Sequence, residues 1–318
     1  MQRVTPKTHA LLRRAARVVA LLTLALACVL FVRRLDLARL RAALALAALP
    51  LAALAATVNL AQVGLRALLL RALLAPVQSV GLARLFRYTL AMFAANNLLP
   101  ARAGELVRIE LLRVHEQVPS SSSVAVAMVE KVFDAIAILL IALPLPLILP
   151  DLPRSVSVVM ALLGAGGLIA LAAAYALARW GEHKSGRLGQ FARGAAVLRR
   201  GHSFGAALGW ALLSHLVDAV VIAICLAALD LHLPWGASLL VLLAVTMILA
   251  LPSGPAGVGS LEVGAVAALR ILGVDPERAL AFALVYHVIQ VAPVTLLGLS
   301  GIRLATRSAA PLPQTETK

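Results

Sequence analysis

The 318-residue sequence predicts an all-α fold, a polytopic bundle of transmembrane helices, and three observations predict it. Apolar residues make up 62% of the chain and charged residues 14%, with a mean hydropathy of +0.96. A water-soluble domain carries about 45–50% and about 25%, so this chain lacks the polar surface to cover a soluble fold. Its apolar residues also fall into runs near the roughly 20-residue length of a membrane-crossing helix, and its basic residues gather between those runs. Soluble enzyme, DNA-binding domain and disordered tail are thereby excluded as whole-chain readings. The formal charge of +15 marks cytoplasmic loops and contact with anionic lipid headgroups, and no nucleic-acid partner is expected.

About six full spans meet the length criterion, at residues 18–32, 42–65, 123–149, 155–178, 204–229 and 279–302. Arg13, Arg14 and Arg17 precede the first, and Phe31-Val32-Arg33-Arg34 follows it in place of a small-residue cleavage site. It therefore reads as an uncleaved span. Cys28 and Cys225 lie inside apolar runs, with neither a disulfide framework nor metal-ligand spacing; no metal and no cofactor are expected.

Two further apolar stretches are too short to cross. Residues 88–99 stop at Pro100, and residues 237–251 stop at Pro252-Ser-Gly-Pro-Ala-Gly-Val-Gly259 before the chain resumes at 260–269. Proline and clustered glycines free backbone groups that lipid cannot satisfy. Each stretch is accordingly expected to form a re-entrant, broken helix hairpin, with tips at Asn97, Pro100 and Gly104 and at Pro252, Gly257 and Gly259. Basic residues around 3–17 and 179–200 place those segments in the cytoplasm, and the weakly charged loops near Asp151 and Asp230 outside. Arg33, Arg34, Arg39 and Arg41 run against that pattern. Each half then reads span, span, hairpin, span, with the hairpins inserted from opposite faces. That is the signature of an inverted repeat, about 15–150 and about 155–305, within one domain of 1–318 that ends in a disordered tail at 306–318.

Ionised side chains inside a bilayer cost about 2.5–3.5 kcal/mol each on insertion scales, which singles out the few present. Beyond the first tip stand Arg102, Glu105 and Arg108, with Glu105 and Arg108 spaced to pair on one helix face. Glu130 and Asp134 stack one turn apart in the next span, and a cation between them, Arg108 or Arg102, is expected. Lys131 projects to another side of that helix. The second hairpin contributes Glu262 near a helix start, where a carboxylate is favourable. Other spans hold Asn59 and Gln62, His215 and Asp218, His287 and Gln290. Alternatives stay open: residues 105–113 also suit an amphipathic interfacial helix, His215–Asp218 suits helix-to-helix bonding, and Asn96 and Asn97 suit bonding of a broken helix end. The loop at 179–203 is expected to be a tether. Motifs for metallopeptidase, phosphate-loop or serine-elbow chemistry are absent.

The run Asn97-Leu-Leu-Pro100-Ala-Arg102-Ala-Gly104-Glu105-Leu-Val-Arg108, with Glu130-Lys-Val-Phe-Asp134 and Leu251-Pro252 … Gly257-Val-Gly259-Ser-Leu-Glu262, resembles the lysylphosphatidylglycerol synthase transmembrane-region family. The resemblance covers nearly the whole chain. It implies a flippase-like membrane domain; the name-giving members translocate aminoacylated phosphatidylglycerol between leaflets. It also implies a bacterial inner membrane, in which the charge pattern leaves both termini cytoplasmic. Relatives often carry Tyr-Arg where this chain has Tyr286-His287, which bears on substrate or pH dependence. The synthases' soluble aminoacyl-transferase domain has no counterpart before Lys318, so enzyme activity is not expected.

Three functions follow as expectations. The first is transport of a membrane lipid, an anionic phospholipid or a polyprenyl-linked lipid, with Arg102, Glu105, Arg108, Glu130, Asp134, Glu262 and His287 as binding residues. The second is a non-transporting subunit that scaffolds a separate lipid- or glycan-modifying enzyme. The third, a membrane-embedded enzyme built on Glu130 and Asp134, lacks further carboxylates.

Overall fold

The computed structural model describes residues 37–45, 47–99, 103–181, 183–250 and 255–308. The first expected span, the Arg13–Arg17 group, Pro100, Arg102, Pro252 and residues 309–318 lie outside them. The described chain forms α1 (Leu37–Ala45), α2 (Leu49–Leu74), α3 (Leu82–Leu98), α4 (Gly104–Glu116), α5 (Ser120–Ala142), α6 (Leu145–Ile148), α7 (Arg154–Trp180), α8 (Gly186–Gly194), α9 (Gly201–Ala228), α10 (Gly236–Ala250), α11 (Ser260–Ile271) and α12 (Pro276–Ser308). No strand occurs among the described residues. Among the described residues four helices are long and apolar enough to cross a membrane: α2, α7, α9 and the Pro276–Leu299 part of α12. At 23 residues α5 has similar length but carries Glu130, Lys131 and Asp134 at its middle.

Proline placement moves two expected boundaries. The run at 42–65 is divided, because α1 ends at Ala45 and α2 begins at Leu49 with Pro50 in its first turn. Proline suits a helix start and clashes with the carbonyl four residues back in a continuing one. The helix then runs on to Leu74, so Arg66 and Arg71 lie within it. Likewise the run at 123–149 breaks at Leu143 and Pro144 into α5 and α6. The segment at 179–203 is no tether: α8 docks on α5, where Ser122 Oγ donates to the Gln190 carbonyl at 2.7 Å. Gly194 lies so close there that a Cβ would stand 2.3 Å from the Ser122 carbonyl oxygen.

Helices α3 and α4 form an antiparallel hairpin. At its base the Tyr88 hydroxyl donates to Glu116 Oε1 at 2.7 Å, and toward its tip the Gly104 N–H donates to Asn96 Oδ1 at 2.8 Å. A Cβ on Gly104 would sit 2.0 Å from the Met92 carbonyl oxygen, so only glycine permits this approach. Helices α10 and α11 form the second hairpin, pressed together where a Cβ on Gly264 would meet Val245 Cα at 2.8 Å. The two bases stand at opposite ends of α5. Residues Gln117–Pro119 join the first base directly to the start of α5, while Gly236 at the second base abuts Ile148 of α6. The tips meet in between, where the 3-10 turn Pro255–Gly257 contacts α3.

Helix α12 contains Pro293, which cannot donate to the Ile289 carbonyl. Buried Asn59 of α2 does so instead, its Nδ2 lying 2.9 Å from that oxygen. The polar residue of one span thus repairs the backbone of another, as lipid requires. Beyond the kink, Asn97 Nδ2 donates to Thr295 Oγ1 at 2.8 Å, which ties the first tip to α12.

Replacing Gly104 with Ala is expected to destabilise the protein by about 3 kcal/mol, the upper part of the overpacking range, because the obstacle is backbone. Gly64→Ala on α2, with nothing within 4 Å of the new Cβ, leaves stability unchanged or slightly raised. Thermal unfolding of both variants in detergent checks the contrast.

Candidate functional site

The centre of α5 fixes the site. Glu130, buried, and Asp134, largely so, lie one turn apart, and two carboxylates so placed each require compensation. One cation between them was expected; each instead has its own. Arg108 of α4, only 2% exposed, donates through Nη2 to Glu130 Oε2 and to Glu105 Oε2, both at 2.7 Å. Arg66 of α2 forms the ion pair with Asp134. Lys131 Nζ stands 3.3 Å from Asp134 Oδ2 and 3.9 Å from Glu105 Oε1, linking the two groups along the edge of α5.

The Asp134 group extends to α9. His215 Nε2 lies 3.4 Å from both Arg66 Nη2 and Asp134 Oδ1. Its Nδ1 is 3.6 Å from Asp218 Oδ2, inside ion-pair reach but without a hydrogen bond. Gln62 Nε2 donates to the same Asp218 oxygen at 3.3 Å. Arg66 Nε is likewise buried and makes no hydrogen bond. Two polar nitrogens in one cluster therefore lack partners, whereas buried polar atoms in folded proteins are nearly always bonded.

These groups line a cavity of about 530 Å³ bounded by both hairpin tips, with Asn96 and Asn97 on one side and Ala256 and Gly257 on the other. Its polar wall comes from Gln62 and Arg66, Lys131 and Asp134, and His215 and Asp218. Tyr286 and Gln290 of α12 close it, joined by a 2.7 Å hydrogen bond. The facing wall is apolar, including Leu163 of α7 and Leu242 and Val245 of α10. A larger open depression of about 760 Å³ lies at the base of the first hairpin. Its Arg113 already pairs with Glu110 through two hydrogen bonds, and none of the central charges reaches it. The cavity between the tips, apolar over much of its lining but carrying the convergent charged groups, is the candidate site.

Of the expected binding and tip residues, Asp134, Asn97 and Gly257 line this cavity, together with Gln62, His215, Asp218 and Gln290, which the sequence showed in other spans. Glu105, Arg108 and Glu130 sit behind it as a closed ion-pair group. Glu262 and His287 form a separate pair, with Glu262 Oε1 2.5 Å from His287 Nδ1 and Glu262 Oε2 accepting the Gly259 N–H at 2.8 Å. Gly259 caps α11 at φ 81°, a left-handed conformation that favours glycine. Arg66 was not singled out. It follows the apolar run at 42–65 by one position, and only continuation of that helix through Leu68, Leu69 and Leu70 places it inside the bundle. Among the described residues no cluster of three or more His, Cys, Asp or Glu side chains is arranged to hold a metal.

Comparison with known proteins agrees with the motifs. The family model for the lysylphosphatidylglycerol synthase TM region matches residues 17–298, and the chain belongs to this family of membrane proteins. No curated protein and no solved structure matches the chain.

Arg108→Met is expected to cost about 3–5 kcal/mol, since it strands the buried Glu130 carboxylate. Adding Glu130→Gln to that variant restores much of the loss. Unfolding midpoints of the single and double variants in detergent measure the coupling; a fully additive pair would mean that the two side chains do not support each other.

Proposed function

We propose that this family member moves a phospholipid or another lipid-linked anionic headgroup between membrane leaflets, through the cavity between the hairpin tips. The observation that carries the reading is Arg66, a buried guanidinium on the wall of that cavity with one nitrogen unbonded. A phosphate offers the planar, bidentate partner that a guanidinium fits best. The headgroup would exchange against Asp134 for Arg66 while its acyl chains stay in lipid. The polar wall carries the headgroup, and the two tips gate access from either leaflet.

Several features support an inverted repeat with re-entrant hairpins, a reading that counts six full spans. The hairpin bases lie at opposite ends of α5. Helices α2 and α9, the second spans of their halves, pack against each other along the bundle. Glu262 pairs with His287 25 residues on, and Arg108 with Glu130 22 residues on, so each hairpin's exit helix is tied by a charged pair to the span that follows. Two such halves make the alternating exposure of one central site natural. In this reading the whole chain is a single flippase-like domain of a bacterial inner membrane, with cytoplasmic termini. It is not itself an enzyme; a separate lipid- or glycan-modifying enzyme is the partner of the scaffold alternative.

Leaflet-resolved transport in proteoliposomes tests the function. Arg66→Gln is expected to slow transport by about tenfold to a hundredfold, the range of one charge-assisted hydrogen bond. Arg200→Gln, on an exposed loop, leaves it unchanged. Equal rates in wild type and Arg66→Gln would remove the mechanism, and a transport-inactive wild type that co-purifies with an enzyme would favour the scaffold instead.

For topology, Gln117→Cys and Trp235→Cys at the two hairpin bases, in a chain without its native cysteines, are labelled in intact cells with an impermeant reagent. Labelling of the second and not the first is expected; labelling of both from one side overturns the inverted arrangement.

A further inference from the structure

The hydrogen-bond roles around His215 link the anion to a proton. Arg66 Nη2 is a donor, and because Asp134 Oδ1 already accepts from Arg66, we assign His215 Nε2, 3.4 Å from both, as the acceptor of Nη2. The imidazole is then neutral and carries its proton on Nδ1, toward Asp218 Oδ2 at 3.6 Å. In this arrangement Arg66 pairs with Asp134, which Lys131 also flanks, while Asp218 accepts from Gln62. If a phosphate takes Arg66, Asp134 loses its closest cation and the enclosed site gains a negative charge. Leaving a buried charge uncompensated costs several kcal/mol.

The same movement opens a remedy. Once Arg66 turns away, Nε2 is free to accept a proton, and Asp134 Oδ1 already stands 3.4 Å from it. The charged groups facing His215 favour that outcome. Asp134 of α5 would be left with Lys131 at its other oxygen, Asp218 lies one turn along α9, and Glu130 stays paired with Arg108, which it shares with Glu105. Helix α12 presents Tyr286, and α10 contributes no ionisable side chain.

We propose that an anionic phosphate headgroup binding at Arg66 is accompanied by one proton, taken from water onto His215 Nε2 and held between Asp134 and Asp218. The inference rests on the transport reading and adds a co-substrate to it. The bond formed is N–H on the imidazole, and the bond broken is an O–H of the hydrated proton, whose oxygen stays in solution as water. When the headgroup leaves, Arg66 returns to Asp134 and the proton departs on the same side. Headgroup and proton therefore cross together, and a pH gradient can drive an anionic lipid.

Calorimetric titration of the full-length protein in detergent with dihexanoylphosphatidylglycerol, in buffers of different ionisation enthalpy, counts protons per bound lipid. About one proton taken up per lipid is expected where free His215 is neutral. There the affinity falls about tenfold for each unit of rising pH. His215→Gln and, independently, Asp134→Asn are expected to abolish the uptake, while His232→Gln on the exposed loop retains it. Lipid binding without uptake in the wild type overturns the proton and leaves the transport reading standing. Uptake that survives in His215→Gln assigns the proton elsewhere and also overturns the inference. Absence of lipid binding removes the transport reading and this inference with it. Inorganic phosphate in the same titration separates a free anion from a headgroup: binding of phosphate but not of lipid would defeat both.

Discussion

Two carboxylates on one helix, one turn apart and far from bulk water, impose the constraint around which this bundle is organised. Neither Glu130 nor Asp134 is affordable alone in an apolar surrounding, and a single arginine between them would leave one negative charge in excess. The fold supplies two cations from two directions. The first hairpin carries Arg108 to Glu130, and α2 carries Arg66 to Asp134. Each of those helices must therefore pack on α5 at a defined height. Gly104 allows α4 to lie close against α3, and Pro50 sets where α2 begins.

Breaking helices inside a membrane creates a second demand, since every freed carbonyl and N–H must find a partner. The tips answer it locally. Asn96 receives the Gly104 N–H, and Glu262 receives that of Gly259. Pro293 is answered from a distance, by Asn59 on α2. Most of the polar side chains near the bundle centre are thus committed to backbone or to one another. His215 Nδ1 and Arg66 Nε stand apart as buried nitrogens on the cavity wall without such a commitment.

The hairpins were legible in the sequence because their cause is local: a short apolar run, then proline, then glycine. The Glu105–Arg108 contact was legible for the same reason, being fixed by helical spacing alone. What pairs with Asp134 was not. The apolar window at 42–65 stops at the residue before Arg66, and a charge at the edge of such a window reads as the end of a span. Only the helix continuing to Leu74, with α9 packed along it, shows that the bundle extends past the arginine and encloses it. His215 and Asp218 were visible as a pair on one face, yet their closeness to Arg66 and Asp134 depends on the packing of three helices distant in sequence. Docking of α8 on α5 was hidden similarly, because Gln190 and Ser122 meet only in the folded chain.

The two arginines differ in a way that separates holding from moving. Arg108 is 2% exposed and satisfies two carboxylates at 2.7 Å each; displacing it would strand Glu130 and leave Glu105 without its closest partner. A headgroup phosphate cannot repay that loss with its own two or three hydrogen bonds. Arg66 pairs with one carboxylate, touches a lone pair of His215 and keeps Nε free, on a side chain 11% exposed to the cavity. Removing it strands only Asp134, which Lys131 at 3.3 Å and His215 at 3.4 Å already flank. The replacement for Arg66 is thus in place before it moves, which is what reversible exchange with a passing anion requires. Arg108 keeps α5 in the bundle, and Arg66 is the cation that can leave its partner and return.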